Sequence, residues 1–254
     1  MARTARRVLV DAAVVYAGVM VLLWAVQDRL IYPKPAQDRP PGPLTLLTDD
    51  GLTLHGWVTH PDAPGALVFF GGNGLRVADM GSILSPCTDR AIYALPYRGY
   101  EGQAGAPRER DLVHDGVAWV KQIQRQHRDV AVVGVSLGSG VAAQVAAQTQ
   151  PSQLLLITPY DRLDRVAQDH LPWAPVRWLM HDAYNTLAVL PQLRRVPISL
   201  LQADADEVVD RARTEALVHE IPGGPIAWDH SPTTHNGVWG NQRVCQFLRA
   251  RLRP

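Results

Sequence analysis

The pentapeptide GVSLG, residues 134–138, lies inside VAVVGVSLGSG (Val130–Gly140), and its reading decides the fold. With Gly and Ser each near 7% of residues, about one random chain in ten of this length carries G-x-S-x-G by chance. The motif therefore takes its meaning from what surrounds it. Ahead of it runs DVAVVGV, a short apolar β-branched stretch of the kind that forms a buried strand. Behind it runs SLGSGVAAQVAAQTQ, an Ala-rich stretch with helical spacing. A serine between such a strand and such a helix sits where a nucleophile elbow needs it: on a sharp turn, with its hydroxyl exposed above a sheet. Gly134 and Gly138 flank it where side chains would collide with the neighbouring strand and helix.

The same alternation extends outward. LTLLTDDGLTLHGWVTH reads as a hairpin around Asp49, Asp50 and Gly51. GALVFFGGNG and AIYALPYRGY read as buried strands that leave into glycine-containing loops, and a helix follows Pro107. After the elbow come strands at QLLLITP, VPISLLQA and GPIAWDH, a helix near 211–219 and a last helix over 239–251. Hairpin strands followed by repeated strand–helix units predict an α/β domain with a mostly parallel, eight-stranded sheet and helices on both faces. Residues 159–195 break the rhythm; they are Pro-bearing and rich in Trp and Leu, and are expected to form a short cap-like insertion.

A serine hydroxyl needs a base, and the base needs an orienting acid. In a fold of this kind the order along the chain is Ser, acid, His. DADEVVD after the VPISLLQA strand offers Asp204, Asp206 and Asp210; register favours Asp206, holds Asp204 in reserve and leaves Asp210 to cap the next helix. His235, in the polar loop SPTTHNGVWG, is the expected base, with His230 its competitor. The backbone N–H of Leu137 and that of Asn73, in FFGGNG, are the expected oxyanion donors. Leu171, Trp173, Val176, Trp178 and Met180 of the insertion could line an apolar acyl pocket or pack as ordinary core. No cofactor and no metal site is expected: no histidines pair as H-x-x-x-H, and GGNGLR lacks the spacing and lysine of a phosphate loop.

Bulk composition excludes little else. The chain of 254 residues is 46% hydrophobic and 19% charged with a net charge of +1, so nothing predicts a nucleic-acid surface. Its two cysteines, Cys87 and Cys245, fit no C-x-x-C site and are expected as buried free thiols. The N-terminus differs. Arg3, Arg6 and Arg7 precede an apolar run, Val8–Val26, whose helix would rise about 28 Å, close to the hydrocarbon thickness of a bilayer. Trp24 and Tyr32 suit the far interface. Residues 1–29 are thus expected to be an uncleaved anchor, with a signal peptide, or an amphipathic or core-packed helix, as the other readings. If the helix spans, the arginines stay cytoplasmic and the rest of the chain is translocated, as in a periplasm-facing protein of a bacterial inner membrane. Residues 30–43 read as a Pro-rich linker and 44–254 as the catalytic domain.

Taken together, these motifs resemble those of α/β-hydrolase-superfamily serine hydrolases. The resemblance runs from about Leu30 to the C-terminus. It is strongest to the branch with an N-terminal hydrophobic anchor and an F-H-G-N oxyanion motif, which includes membrane-tethered lipid and acyl-protein hydrolases. LIYPKP, TDDGLTLHGW, PYRGYEGQAGAP, TPYDRL, LPWAPVRWLMHDAYNTL and THNG carry it. It implies Ser136, Asp206 and His235 as triad, acting on carboxylic esters or thioesters of a small or lipid-like acyl substrate. A peptidase, or a non-catalytic binding module, would use the same scaffold. Three positions depart from the pattern: Gly71 stands for the His of H-G-N, Pro96 for the Asp before Y-R-G-Y, and QADADEVVD for H-G-x-x-D-x-x-V-P.

Overall fold

The computed structural model describes residues 2–35, 40–240 and 242–252. Part of the Pro-rich linker, residues 36–39, lies outside the described residues. The chain opens with helix α1 (Ala2–Ile31) and the hairpin β1 (Leu44–Leu47) and β2 (Thr53–Thr59). Then come β3 (Gly65–Phe70), α2 (Met80–Leu84), β4 (Ala91–Ala94), α3 (Glu109–Gln124), β5 (Asp129–Val135), α4 (Leu137–Thr149) and β6 (Gln153–Ile157). The insertion holds three short helices, α5 (Leu163–His170), α6 (Val176–Leu179) and α7 (Thr186–Val189). β7 (Ile198–Ala203), α8 (Arg211–Glu220), β8 (Ala227–Ser231) and α9 (Arg243–Arg251) close the fold.

The sheet has eight strands in the order β1-β2-β4-β3-β5-β6-β7-β8. β1, β2 and β4 pair antiparallel in turn, and every pairing from β4 onward is parallel. The strand period of two divides the core between two faces. Val68 and Phe70 of β3 and Val130 and Val132 of β5 face the layer that holds α3 and α4. Leu67, Phe69, Val133 and Val135 face the layer that holds α2 and α9. Continuous apolar runs such as DVAVVGV are what a strand covered on both faces requires.

Arg98, in the PYRGY stretch, ties these layers to the hairpin. It is buried and donates to Asp115 of α3 at 2.7 Å and to Asp50 of the hairpin turn at 2.7 Å. That hydrogen bond lowers the Asp50 carboxyl to about 2.

The cysteines correct an expectation. Cys87 and Cys245 form a disulfide, with Cα atoms 4.6 Å apart and 158 residues between them in sequence. The strand order carries α9 back onto the 3-10 turn Ser85–Cys87 behind α2, so a contact invisible in local sequence becomes a bond.

The N-terminal helix is long and apolar enough to cross a membrane by length and composition. Val8, Val14, Val15 and Leu22 lie on its exposed surface. Its second half is not free-standing. Met20 packs with Ala174 and Val176, and Gln27 donates to Leu179 O at 3.0 Å and accepts from the His181 N–H at 3.0 Å. Just past the helix, Tyr32 is buried and its hydroxyl meets Asp182 Oδ2 at 2.7 Å, so the supposed linker starts inside the core.

Candidate active site

Four loops meet at the carboxyl ends of the parallel strands, the usual site of chemistry in open α/β sheets. The sharpest follows β5. Ser136 takes φ 52° and ψ −120°, a left-handed conformation that costs a non-glycine residue about 1–3 kcal/mol. Its neighbours explain how the turn is sustained. A Cβ on Gly134 would lie 2.3 Å from Gly138 O, and one on Gly138 would lie 2.3 Å from Phe70 O. Only glycine lets strand, turn and helix approach this closely. The Ser136 N–H donates to Ile157 O at 2.9 Å, fixing the turn to β6.

His235 stands at the head of the 3-10 turn Asn236–Trp239, after β8. Its Nε2 lies 2.9 Å from Ser136 Oγ, and its Nδ1 lies 2.9 and 2.8 Å from the two oxygens of Asp206. An ionised carboxylate only accepts, so Nδ1 carries the proton and Nε2 is left to accept from the serine hydroxyl. Asp206, in the loop after β7, also accepts the N–H groups of Val208 and Val209 at 2.9 and 2.8 Å. The backbone N–H of His235 donates to Glu207 at 3.0 Å. Ser136, His235 and Asp206 are therefore brought together. Asp204 and His230 are not: they pair with each other at 2.8 Å, nearer solvent. Asp210 caps α8 by accepting from Ala212 N–H at 2.8 Å.

The loop after β3 runs against the elbow, where a Cβ on Gly72 would lie 3.3 Å from that of Ser136. Gly71, at the position of the family histidine, has no room for a side chain: its Cβ would lie 2.6 Å from Val77. Instead the Tyr97 hydroxyl donates to Gly71 O at 2.8 Å and holds the loop. Burial pushes the Tyr97 phenol well up, keeping it a donor. The Asn73 side chain donates to Ile31 O at 2.9 Å and to Leu30 O at 3.3 Å, capping the last carbonyls of α1. Neither tie was foreseen. Tyr97 sits in the PYRGY stretch, whose pattern does not mark this hydroxyl, and no local signal marks the reach from Asn73 to α1.

Ser136 and His235 open into a cavity of about 650 Å³. Leu163, Val166 and Leu171 of the insertion line it, as do Leu23, Leu30 and Ile31 of α1. Leu171 thus lies where the sequence suggests; Trp173 and Trp178 do not. Trp173 is 52% and Trp178 89% exposed, and neither lines the cavity. The one-turn helix α6 gives the reason: Val176 and Leu179 face inward, and Trp178, about 200° round from Val176, must face out. Among the described residues no cluster of His, Cys, Asp and Glu has metal-site geometry.

No model of a known protein family matches the chain. An uncharacterised protein of Mycobacterium tuberculosis H37Rv is 31% identical over 234 residues, covering 83% of this chain and 81% of its own length. The human α/β-hydrolase domain-containing protein 17B is 25% identical, covering 76% and 69%. Among solved structures, the Pyrococcus furiosus esterase Pf2001 superposes with a TM-score of 0.65 at 14% identity, covering 87% of this chain and all of that one. An α/β-hydrolase from Vibrio vulnificus gives 0.65 at 18% identity, covering 80% and 79%. With its eight-stranded sheet and its strained serine turn, the chain has the α/β-hydrolase fold, and it belongs to one family with the mycobacterial protein.

Proposed function

We propose that the protein is a serine hydrolase that cleaves carboxylic esters or thioesters through an acyl-enzyme. The observation that carries this reading is the 2.9 Å contact between Ser136 Oγ and His235 Nε2 at a strained elbow, with Asp206 behind the imidazole. In the mechanism, Ser136 attacks the acyl carbonyl as its proton passes to Nε2. Asp206 keeps Nδ1 protonated and stabilises the imidazolium. The N–H groups of Leu137, at the start of α4, and Asn73 receive the oxyanion, helped by the positive end of the helix. The proton then goes to the leaving alcohol or thiol, and water, deprotonated by His235, releases the acid.

The predominantly apolar cavity wall supports apolar acyl substrates. α1 acts as a single-pass anchor, and residues 44–254 form the catalytic domain with 159–195 as its cap. The disulfide supports a location on the non-cytoplasmic side, because such bonds persist in oxidising compartments. The test is labelling of the full chain by a water-soluble fluorophosphonate. Label on Ser136 that disappears in Ser136→Ala is the expected result; a folded wild type that takes no label overturns the reading.

A further inference from the structure

The anchor helix enters the body of the enzyme at an unexpected height. α1 has 30 residues, about 45 Å at the helical rise, but its contacts with the cap begin near its middle. Tyr16 Oη donates to Trp173 O at 3.0 Å, and Met20 and Val176 share a buried cluster. The free part, Ala2–Val15, spans only about 21 Å, some 9 Å less than the hydrocarbon of a bilayer. A span that begins at Val8 ends near Asp28. The cap therefore meets α1 at bilayer depth, with Trp173 against Tyr16 and His181 against Trp24, and Trp24, Trp173 and Trp178 are all exposed. Trp24, near the far end of that span, suits the membrane interface.

Toward its C-terminal end α1 stops being only an anchor. Leu23, Leu30 and Ile31 form one wall of the cavity that ends on Ser136, and Leu171, Leu179 and Met180 of the cap segment form part of the opposite wall. The apolar surface of α1 that faces lipid is thus continuous with the apolar lining of the active site.

Resting on the serine-hydrolase reading, we infer that the substrate is a lipid ester resident in the membrane, whose acyl chain passes sideways from the leaflet between α1 and the cap to Ser136. A lipid tail makes this passage without leaving an apolar medium. A chain carried on a protein would bring backbone N–H and C=O groups against the same apolar face, where each lacks a partner. The chemistry balances as ester plus water giving fatty acid plus alcohol. The Ser136 Oγ–acyl bond forms as the ester C–O bond breaks, and the serine proton leaves on the alcohol through His235; water then gives a proton to His235 as its oxygen bonds the acyl carbon, and the Oγ–acyl bond breaks as Ser136 takes that proton.

The experiment uses the full chain in phosphatidylcholine vesicles and two probes of Ser136, a water-soluble ethyl fluorophosphonate and a hexadecyl fluorophosphonate held in the bilayer. The hexadecyl probe is expected to label at least tenfold faster from the enzyme's own vesicles than from separate ones. Leu23→Trp, which fills the passage, is expected to lower the hexadecyl-to-ethyl rate ratio at least tenfold. Dioleoylglycerol in the same vesicles is expected to be cleaved faster than a soluble S-palmitoyl peptide. Equal labelling from same and separate vesicles overturns the lateral route, as does a ratio unmoved in a folded Leu23→Trp protein. Preference for the peptide overturns the lipid assignment. A chain that the ethyl probe does not label fails as a serine hydrolase, and the route falls with it; ethyl labelling without a same-vesicle preference removes the route alone.

Discussion

Two acid–imidazole pairs leave the same edge of the sheet. Asp206 faces His235 and Asp204 faces His230, each with an Nδ1–oxygen distance of 2.8 Å. Their surroundings separate them. The side chains of His235 and Asp206 are 8% and 5% exposed, those of His230 and Asp204 39% and 37%. Asp206 is further held by two backbone N–H groups, and His235 points its other nitrogen at a strained serine. His230 instead leans its ring on Trp228, with centroids 5.0 Å apart. Distance alone thus does not tell the two pairs apart. Exclusion of water, which strengthens the pair electrostatically, and a third partner in line are the better marks.

The largest expected effect tests the buried pair at its core. His235→Ala or Ser136→Ala should lower kcat on a p-nitrophenyl ester by about a million-fold, the scale seen when a triad's nucleophile or base is removed. The melting temperature of Ser136→Ala should stay within a few degrees, and a collapse of the fold would contradict the role given to its hydroxyl. Asp206→Asn should cost about ten-thousand-fold by favouring the wrong imidazole tautomer. Removing the disulfide separates rigidity from chemistry. Cys245→Ser should cost about 2–5 kcal/mol in urea unfolding while leaving the rate per folded molecule within about threefold. The smallest effect belongs to the exposed pair: Asp204→Asn should change kcat less than twofold. A loss there as large as that of Asp206→Asn would erase the distinction between the pairs.

The elbow was legible because its requirements are local. Gly134, Ser136 and Gly138 must sit at fixed offsets between a strand and a helix, and a linear sequence displays offsets. The sheet was legible for a similar reason, since apolar runs of strand length punctuated by glycines report double burial. Placing Asp206 beside His235 needed only the register of one loop. What escaped notice was nonlocal or depended on facing. Cys87 and Cys245 meet through a strand order that no window of sequence contains. Trp173 and Trp178 share the composition of a pocket, but Trp178 occupies the outer side of a single helical turn and Trp173 is exposed in the turn before it. The apolar length of the N-terminal helix suggested an anchor and gave no sign that its last turns wall the cavity.

The disulfide also sets an order of events. One of its sulfurs belongs to the turn before β4 and the other to α9, the last helix described, so the bond encloses every strand from β4 to β8. A chain emerging N-terminus first exposes Cys87 long before Cys245 exists to meet it. Closure must therefore wait until α9 has emerged, after the loops bearing Ser136, Asp206 and His235 are all present. The bond thus closes only on a chain complete through α9: one interrupted before Cys245 leaves Cys87 without its partner.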